Sequence, residues 1–231
     1  MTVPVAPTGI KKLDEALGGG FPRNGMSLLV GPSGIGKTIL ALQWLAEGAR
    51  NGESCVYVST TIPSEAVIAY YGEMKLLKGV VDKIGWYDMY ISPKDLIPFT
   101  TEKMLHLIHR VLPDYFDEQL NLIKPIDRLV LDSLTTVERM VDDPAMFRYL
   151  GATWIRFFHE KKIAMLFIEE MDGDLKVKYG EMKNFSEATV VMDYKEHENL
   201  HMRAMKILKR YGFNHPTYWI PFHIRDEGIV L

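Results

Sequence analysis

Eight residues constrain this chain more than any other stretch: Gly31, Pro32, Ser33, Gly34, Ile35, Gly36, Lys37 and Thr38. They complete the pattern G-x-x-x-x-G-K-[S/T], and their context gives the pattern its weight. The apolar run MSLLVG, 26–31, leads in as a buried strand, and an apolar helical segment from Lys37 to about Ala49 leads out. Glycines let successive backbone N–H groups curl around phosphate oxygens, and the start of the helix adds the positive end of its dipole. Strand, glycine loop and helix in that order require an α/β fold with a parallel sheet. The chemistry that follows is nucleotide binding. All eight residues are candidate phosphate contacts, with Lys37 reaching the β- and γ-phosphates of ATP and Thr38 offering its hydroxyl to Mg²⁺.

A magnesium site of this type needs an acidic strand tip as well. RLVLDS, 128–133, supplies it, because Asp132 closes an unbroken apolar run. One carboxylate and one hydroxyl suffice, since Mg²⁺ keeps several waters. The candidate metal residues are therefore Thr38 and Asp132.

The rest of the chain fits the same plan. Residues 8–18 read as a short helix ended by three glycines, and CVYVS, 55–59, as a buried strand. Ser64 is a candidate N-cap for a helix to about Leu77, and 86–92 reads as a strand. Residues 100–123 have helical spacing interrupted at Pro113. Residues 144–162 form the clearest helix, with Phe147, Leu150, Trp154 and Phe157 on one stripe, and 163–171 is another buried strand. After about residue 188 the texture changes to successive strands with short turns, predicted to be antiparallel. The fold class is a P-loop core with a mostly parallel sheet, helices on both faces and a C-terminal antiparallel extension. The 231 residues carry no internal repeat or linker, so one domain over 1–231 is expected. The net charge of −3, from 27 Lys+Arg and 30 Asp+Glu, excludes a broad positive field for nucleic acid. No apolar run has signal-peptide or bilayer-spanning length, which predicts a cytoplasmic protein without membrane insertion.

Three stretches carry a family resemblance: TGIKKLDEALGGGFPRNGMSLLVGPSGIGKT, LVLDSLTT, and RAMKILKRYGFNH followed by FHIRDEGIVL. Together they resemble the KaiC-like ATPases of the RecA/RadA superfamily across nearly the whole chain, residues 75–125 being the least informative. The resemblance implies a RecA-like fold and a homo-oligomeric ring, a hexamer being one form, with ATP between neighbouring subunits. It also implies that Lys209 reaches the neighbour's γ-phosphate, and it gives His215 a weaker place near the subunit interface.

Two departures bear on activity. Family members that hydrolyse ATP show one or two glutamates just after the second strand, as in T-x-E-E. Here the matching positions are Thr61 and Ile62, and neither takes a proton from water at neutral pH. This tip more closely resembles FlaH, the KaiC-like protein of the archaeal motility motor, which also lacks the glutamates. The family's C-terminal K-x-R-G reads Lys209-Arg210-Tyr211-Gly212, with Tyr211 in the arginine's place and Arg210 on the other face of a strand. A general base is worth about 10²–10⁴-fold and an arginine finger about 10³–10⁵-fold, so losing either leaves hydrolysis slow or absent. Glu169, at the tip of the strand after that of Asp132, is a candidate relocated base; a solvated or helix-paired carboxylate is the alternative. Glu65 is the next candidate.

The favoured function is a nucleotide-gated regulatory or assembly factor acting on a protein partner. The alternative is an active RadA-paralogue-type ATPase on single-stranded DNA. That alternative draws on Lys176, Lys178 and Lys183 around Tyr179, but Asp172, Asp174 and Glu181 nearly cancel their charge. Autophosphorylation at Ser133, Thr135 or Thr136 is a third option. HENLH, 197–201, matches the zinc motif H-E-x-x-H, yet its flanks place it on a hairpin rather than the helix that zinc requires. His106 and His109 read as surface residues, and Cys55 as a core residue.

Overall fold

A computed structural model describes residues 4–88, 126–140, 143–171, 181–197 and 200–231. Two short strands, β1 (Val5–Ala6) and β2 (Phe21–Pro22), bracket helix α1 (Lys11–Ala16). Then come β3 (Met26–Gly31), α2 (Lys37–Arg50), β4 (Cys55–Ser59), α3 (Ser64–Tyr71) and β5 (Ile84–Asp88). After them follow β6 (Arg128–Asp132), α4 (Leu134–Met140), α5 (Pro144–Lys161) and β7 (Ala164–Glu170). The C-terminal part holds β8 (Ala188–His197), β9 (Leu200–Arg210), β10 (Ile220–Pro221), β11 (His223–Arg225) and β12 (Gly228–Val230).

Among the described residues, eight strands form the central sheet in the order β10-β9-β8-β3-β7-β6-β4-β5. From β8 to β5 every pairing is parallel, while β8–β9 and β9–β10 are antiparallel. The mostly parallel sheet and antiparallel extension agree with the sequence reading. β3, β4 and β6 are buried at every position, because helices cover both faces and no polar alternation is required. Alternate residues feed two cores. Leu29, Tyr57, Val130 and Leu166 pack with Leu40, Trp44 and Leu45 of α2. Leu28, Val56, Leu129, Met165 and Phe167 pack with Phe147, Trp154 and Phe158 of α5. Burial of each large side chain contributes roughly 1.5–3 kcal/mol.

Helix α5 begins as its sequence predicts. The Asp143 side chain accepts a 2.8 Å hydrogen bond from the Ala145 N–H, Pro144 occupies the first turn, and Lys162 closes the helix at φ 60°. Phe147 and Trp154 lie on the buried face as expected, joined by Phe158; the side chains of Leu150 and Phe157 lie outside the description. Two boundaries differ from the reading. α3 stops at Tyr71 and gives way to turns from Gly72, and Ser64 caps nothing with its side chain; its backbone N–H donates to Asp88 Oδ1 at 2.6 Å instead. β5 starts at Ile84, two residues early. Residues 100–123, with His106 and His109, lie outside the described residues, as does most of the loop holding Lys176, Lys178 and Tyr179. In the H-E-x-x-H run, His197 ends β8 and His201 sits on β9 opposite Glu196, so the motif spans a hairpin.

Candidate functional site

The loop between β3 and α2 sits at the carboxyl end of the sheet's parallel strands, where α/β folds place ligands. Packing dictates two of its glycines. A Cβ on Gly31 would lie 2.4 Å from the Met192 carbonyl oxygen. Gly36 has φ +117°, and a Cβ there would meet Ile224 at 2.8 Å. These residues bring the loop backbone against β8 and the β11–β12 hairpin, which leaves one concave side for a ligand. That side is a pocket of about 380 Å³, whose lining includes Ser33, Gly34, Lys37, Thr38, Asp132 and Glu170.

Lys37 folds back over the loop and donates to the carbonyls of Gly31 at 2.7 Å and Pro32 at 2.8 Å. Its burial lowers its pKa from the ordinary lysine value, although the charges of Glu170 and Asp132 oppose that. Thr38 Oγ1 donates to Asp132 Oδ2 at 2.7 Å. The hydroxyl of Tyr57 donates to the same oxygen, also at 2.7 Å. Burial raises the Asp132 pKa above the usual carboxylate value, against the hydrogen bonds of Tyr57 and Thr38 and the charge of Lys37. Burial and the neighbouring Asp132 push the Tyr57 phenol strongly upward, so it remains a donor. The set suits a magnesium nucleotide: a cation over the phosphates, a hydroxyl and a carboxylate in contact for the metal, and a loop that only glycine can thread.

The strand tip after α2 is polar but carries no carboxylate. Thr61 and Ile62 both line the pocket, and both are exposed. Thr60 is buried and ties this tip to the Asp132 strand. Its Oγ1 donates to the Ser133 carbonyl at 2.9 Å and accepts from the Ser133 N–H at 2.8 Å. Glu65 is exposed on α3 and does not line the pocket.

Of the two carboxylates at the tip of β7, Glu170 lines the pocket and Glu169 does not. Along β7, Leu166 and Ile168 face the α2 core, whereas Met165 and Phe167 face the α5 core. Glu169 continues the second row and is buried away from the pocket, while Glu170 continues the first and lines it. The backbone N–H of Glu170 is held by Thr135 Oγ1 at 2.8 Å. Sequence reasoning missed Glu170, Tyr57, Tyr71 and Ile224 as pocket residues. The signal available was the two-residue period, which an unbroken apolar strand does not phase.

Lys209 is not brought to the pocket of its own chain. It pairs with Thr189, which pairs with Leu28 near the start of β3, away from the loop. Its Nζ donates to the Lys183 carbonyl at 3.1 Å and lies 4.1 Å from the Tyr211 ring centre. Tyr211 is exposed, and Arg210, opposite Ala188 after a bulge in β9, turns inward, donating from Nε to the Leu17 carbonyl at 2.9 Å. The interface role of His215 has no counterpart within one chain.

A phosphate loop on a central strand, an acidic tip two strands away and helices on both faces define a RecA-like P-loop core. A family model described as "ATPase: KaiC" matches residues 6–231, and the chain belongs to that family. A UPF0273 protein of Pyrococcus horikoshii is 25% identical over 229 residues, covering 97% of this chain and 92% of the relative. The circadian clock protein KaiC2 of Synechocystis is 25% identical over 97% of this chain, which spans only 39% of that larger protein. The solved structure of a KaiC-like protein from Pyrococcus horikoshii superposes with a TM-score of 0.77, at 25% identity and 99% coverage of both chains. Among the described residues, no helix is long and apolar enough to cross a membrane.

Proposed function

We propose that this chain is one KaiC-like domain that binds ATP with Mg²⁺ and acts as a nucleotide-gated regulatory or assembly factor, hydrolysing ATP slowly or not at all. One observation carries the reading. Lys37, Thr38 and Asp132 converge in a pocket whose neighbouring strand tip presents Thr61 and Ile62 where a water-activating carboxylate is needed. The loop amides and Lys37 would hold the phosphates, and Thr38 and Asp132 would hold the cation, Asp132 through the cation's water shell; the cation would supply charge neutralisation at the phosphate oxygens. Glu170 is the carboxylate nearest in role to a base, and it accounts for residual turnover. Lys209 serves a neighbouring copy's nucleotide, so ATP supports assembly into a ring and docking of a protein partner.

The test measures particle size and turnover together. Light scattering with a non-hydrolysable ATP analogue and Mg²⁺ should give a larger particle than the nucleotide-free protein. Turnover should fall well below the ~1–100 s⁻¹ of kinases. A monomer in both states, or brisk turnover, contradicts the reading. Stimulation by single-stranded DNA would instead favour the recombinase-type alternative, which draws no support from the relatives reported above.

A further inference from the structure

Tyr57 has a place beside the pocket whose meaning rests on the pocket being an ATP–Mg²⁺ site. Tyr57 lies in the middle of β4, is 1% exposed, and is used by neither the phosphate loop nor the candidate bases. Its backbone pairs with Val130, two residues short of Asp132, and its side chain spans that gap to place the hydroxyl on Asp132 Oδ2. The ring is braced from behind by Trp86, with centroids 5.3 Å apart. Trp86 is in turn fixed by its indole N–H, which donates to the Val81 carbonyl at 3.1 Å. The hydroxyl is therefore delivered by a rigid arm.

The consequence lies in how Asp132 divides its oxygens. Oδ2 accepts from both Thr38 and Tyr57. Among the described residues, none donates to Oδ1, and Asp132 lines the pocket. Two donors on one oxygen fix the carboxylate plane and leave the other oxygen to meet the pocket. Thr38 can still donate its O–H while its oxygen meets the cation, but one donor leaves the carboxylate free to turn about that single hydrogen bond, and the Tyr57 hydroxyl removes that freedom. We propose that Tyr57 is a positioning residue for the divalent cation, holding Asp132 so that its second oxygen meets the cation's water shell. Outer partners of this kind change metal affinity by about 10–100-fold when removed.

Tyr57→Phe keeps the ring and its contact with Trp86 and deletes only the hydroxyl. Binding of a fluorescent ATP analogue is followed while Mg²⁺ is titrated, and again in excess chelator. The Mg²⁺ concentration for half-maximal enhancement should rise about 10–100-fold in the variant. Affinity in chelator should match that of wild type, which also shows that the fold and the phosphate loop are intact. An unchanged Mg²⁺ titration overturns the inference while leaving nucleotide binding in place. Equal losses with and without Mg²⁺ also overturn it, since Tyr57 would then act through general packing. A wild type that binds no analogue under either condition removes the proposed function and this inference together. Tyr57→Leu, which loses the ring as well, should shift the Mg²⁺ titration no less than Tyr57→Phe; a smaller shift would contradict a role for the hydroxyl.

Discussion

Replacing Arg128 with methionine tests the physics that holds the Asp132 strand in place. Arg128 opens β6 and is fully buried. Its Nε donates to Glu53, and its Nη1 donates to the carbonyls of Pro7 at 2.6 Å and Trp44 at 2.8 Å. The guanidinium also lies 5.1 Å from the centre of a Trp44 ring. One side chain thus joins the N-terminal segment, α2, the start of β4 and β6. Methionine keeps apolar volume and removes every donor. Breaking a buried pair from one side costs about 3–5 kcal/mol. Two carbonyls losing a donor add to that cost, and Arg23, 2.5 Å from Glu53, softens it, so the same range is expected overall. For a chain of this size the melting temperature should fall by about 6–20 °C. A pH arm fixes the cause. Burial alone would raise the Glu53 pKa, but hydrogen bonds and charges from Arg128 and Arg23 outweigh it and hold the carboxyl below its usual 4.5. Such a group adds stability above its unfolded pKa, and that stability is lost as pH falls through the folded value. Urea unfolding of both proteins should therefore show a gap that narrows on acidification below about pH 4.5. A loss under about 1 kcal/mol, or a gap that widens in acid, would refute the reasoning and assign the stability to packing on Trp44.

Asp132→Asn should leave the nucleotide-free protein at least as stable at neutral pH. Its raised pKa means that the buried carboxylate costs stability as pH rises above the unfolded value, in full once pH exceeds the folded value; a clearly lower urea midpoint would contradict this. Glu170→Gln should lower any residual turnover by about 10²-fold or more with ATP still bound, whereas Glu169→Gln should leave turnover unchanged. Single-turnover assays on both variants check the face assignment. Thr61→Glu should raise turnover; no gain would show that more than a carboxylate is missing at that tip.

How much of this was legible beforehand depended on whether a residue's position was set locally. The phosphate loop was readable because its geometry lies within eight consecutive residues, and Asp132 because an apolar run ends on it. The parallel sheet followed from strand–helix alternation. The sequence does not choose between Glu169 and Glu170, because the strand before them is buried on both faces and without polar alternation nothing marks which carboxylate lines the pocket. Tyr57 looked like core, and by burial it is core; its hydroxyl matters only because β4 and β6 are neighbours, a pairing 75 residues apart in sequence. The Arg128 clasp has the same origin, since Pro7, Trp44 and Glu53 share no local pattern. That Arg210 turns away from Lys209 and Tyr211 is legible from local alternation, whereas the bulge in β9 that gives it the same face as Ile207 is not.

The most direct test of the account is thermal unfolding of wild type and Lys37→Ala, with and without ATP and Mg²⁺. Lys37 now spends its charge on the Gly31 and Pro32 carbonyls and must turn to the phosphates when nucleotide binds. At about 100 times the dissociation constant, ligand should stabilise wild type by ~2.7 kcal/mol. That is roughly 5–11 °C for a chain of this size. Lys37→Ala should lose most of the shift while still unfolding cooperatively. No shift in wild type at millimolar ATP, or an equal shift in both proteins, would contradict nucleotide binding at this loop.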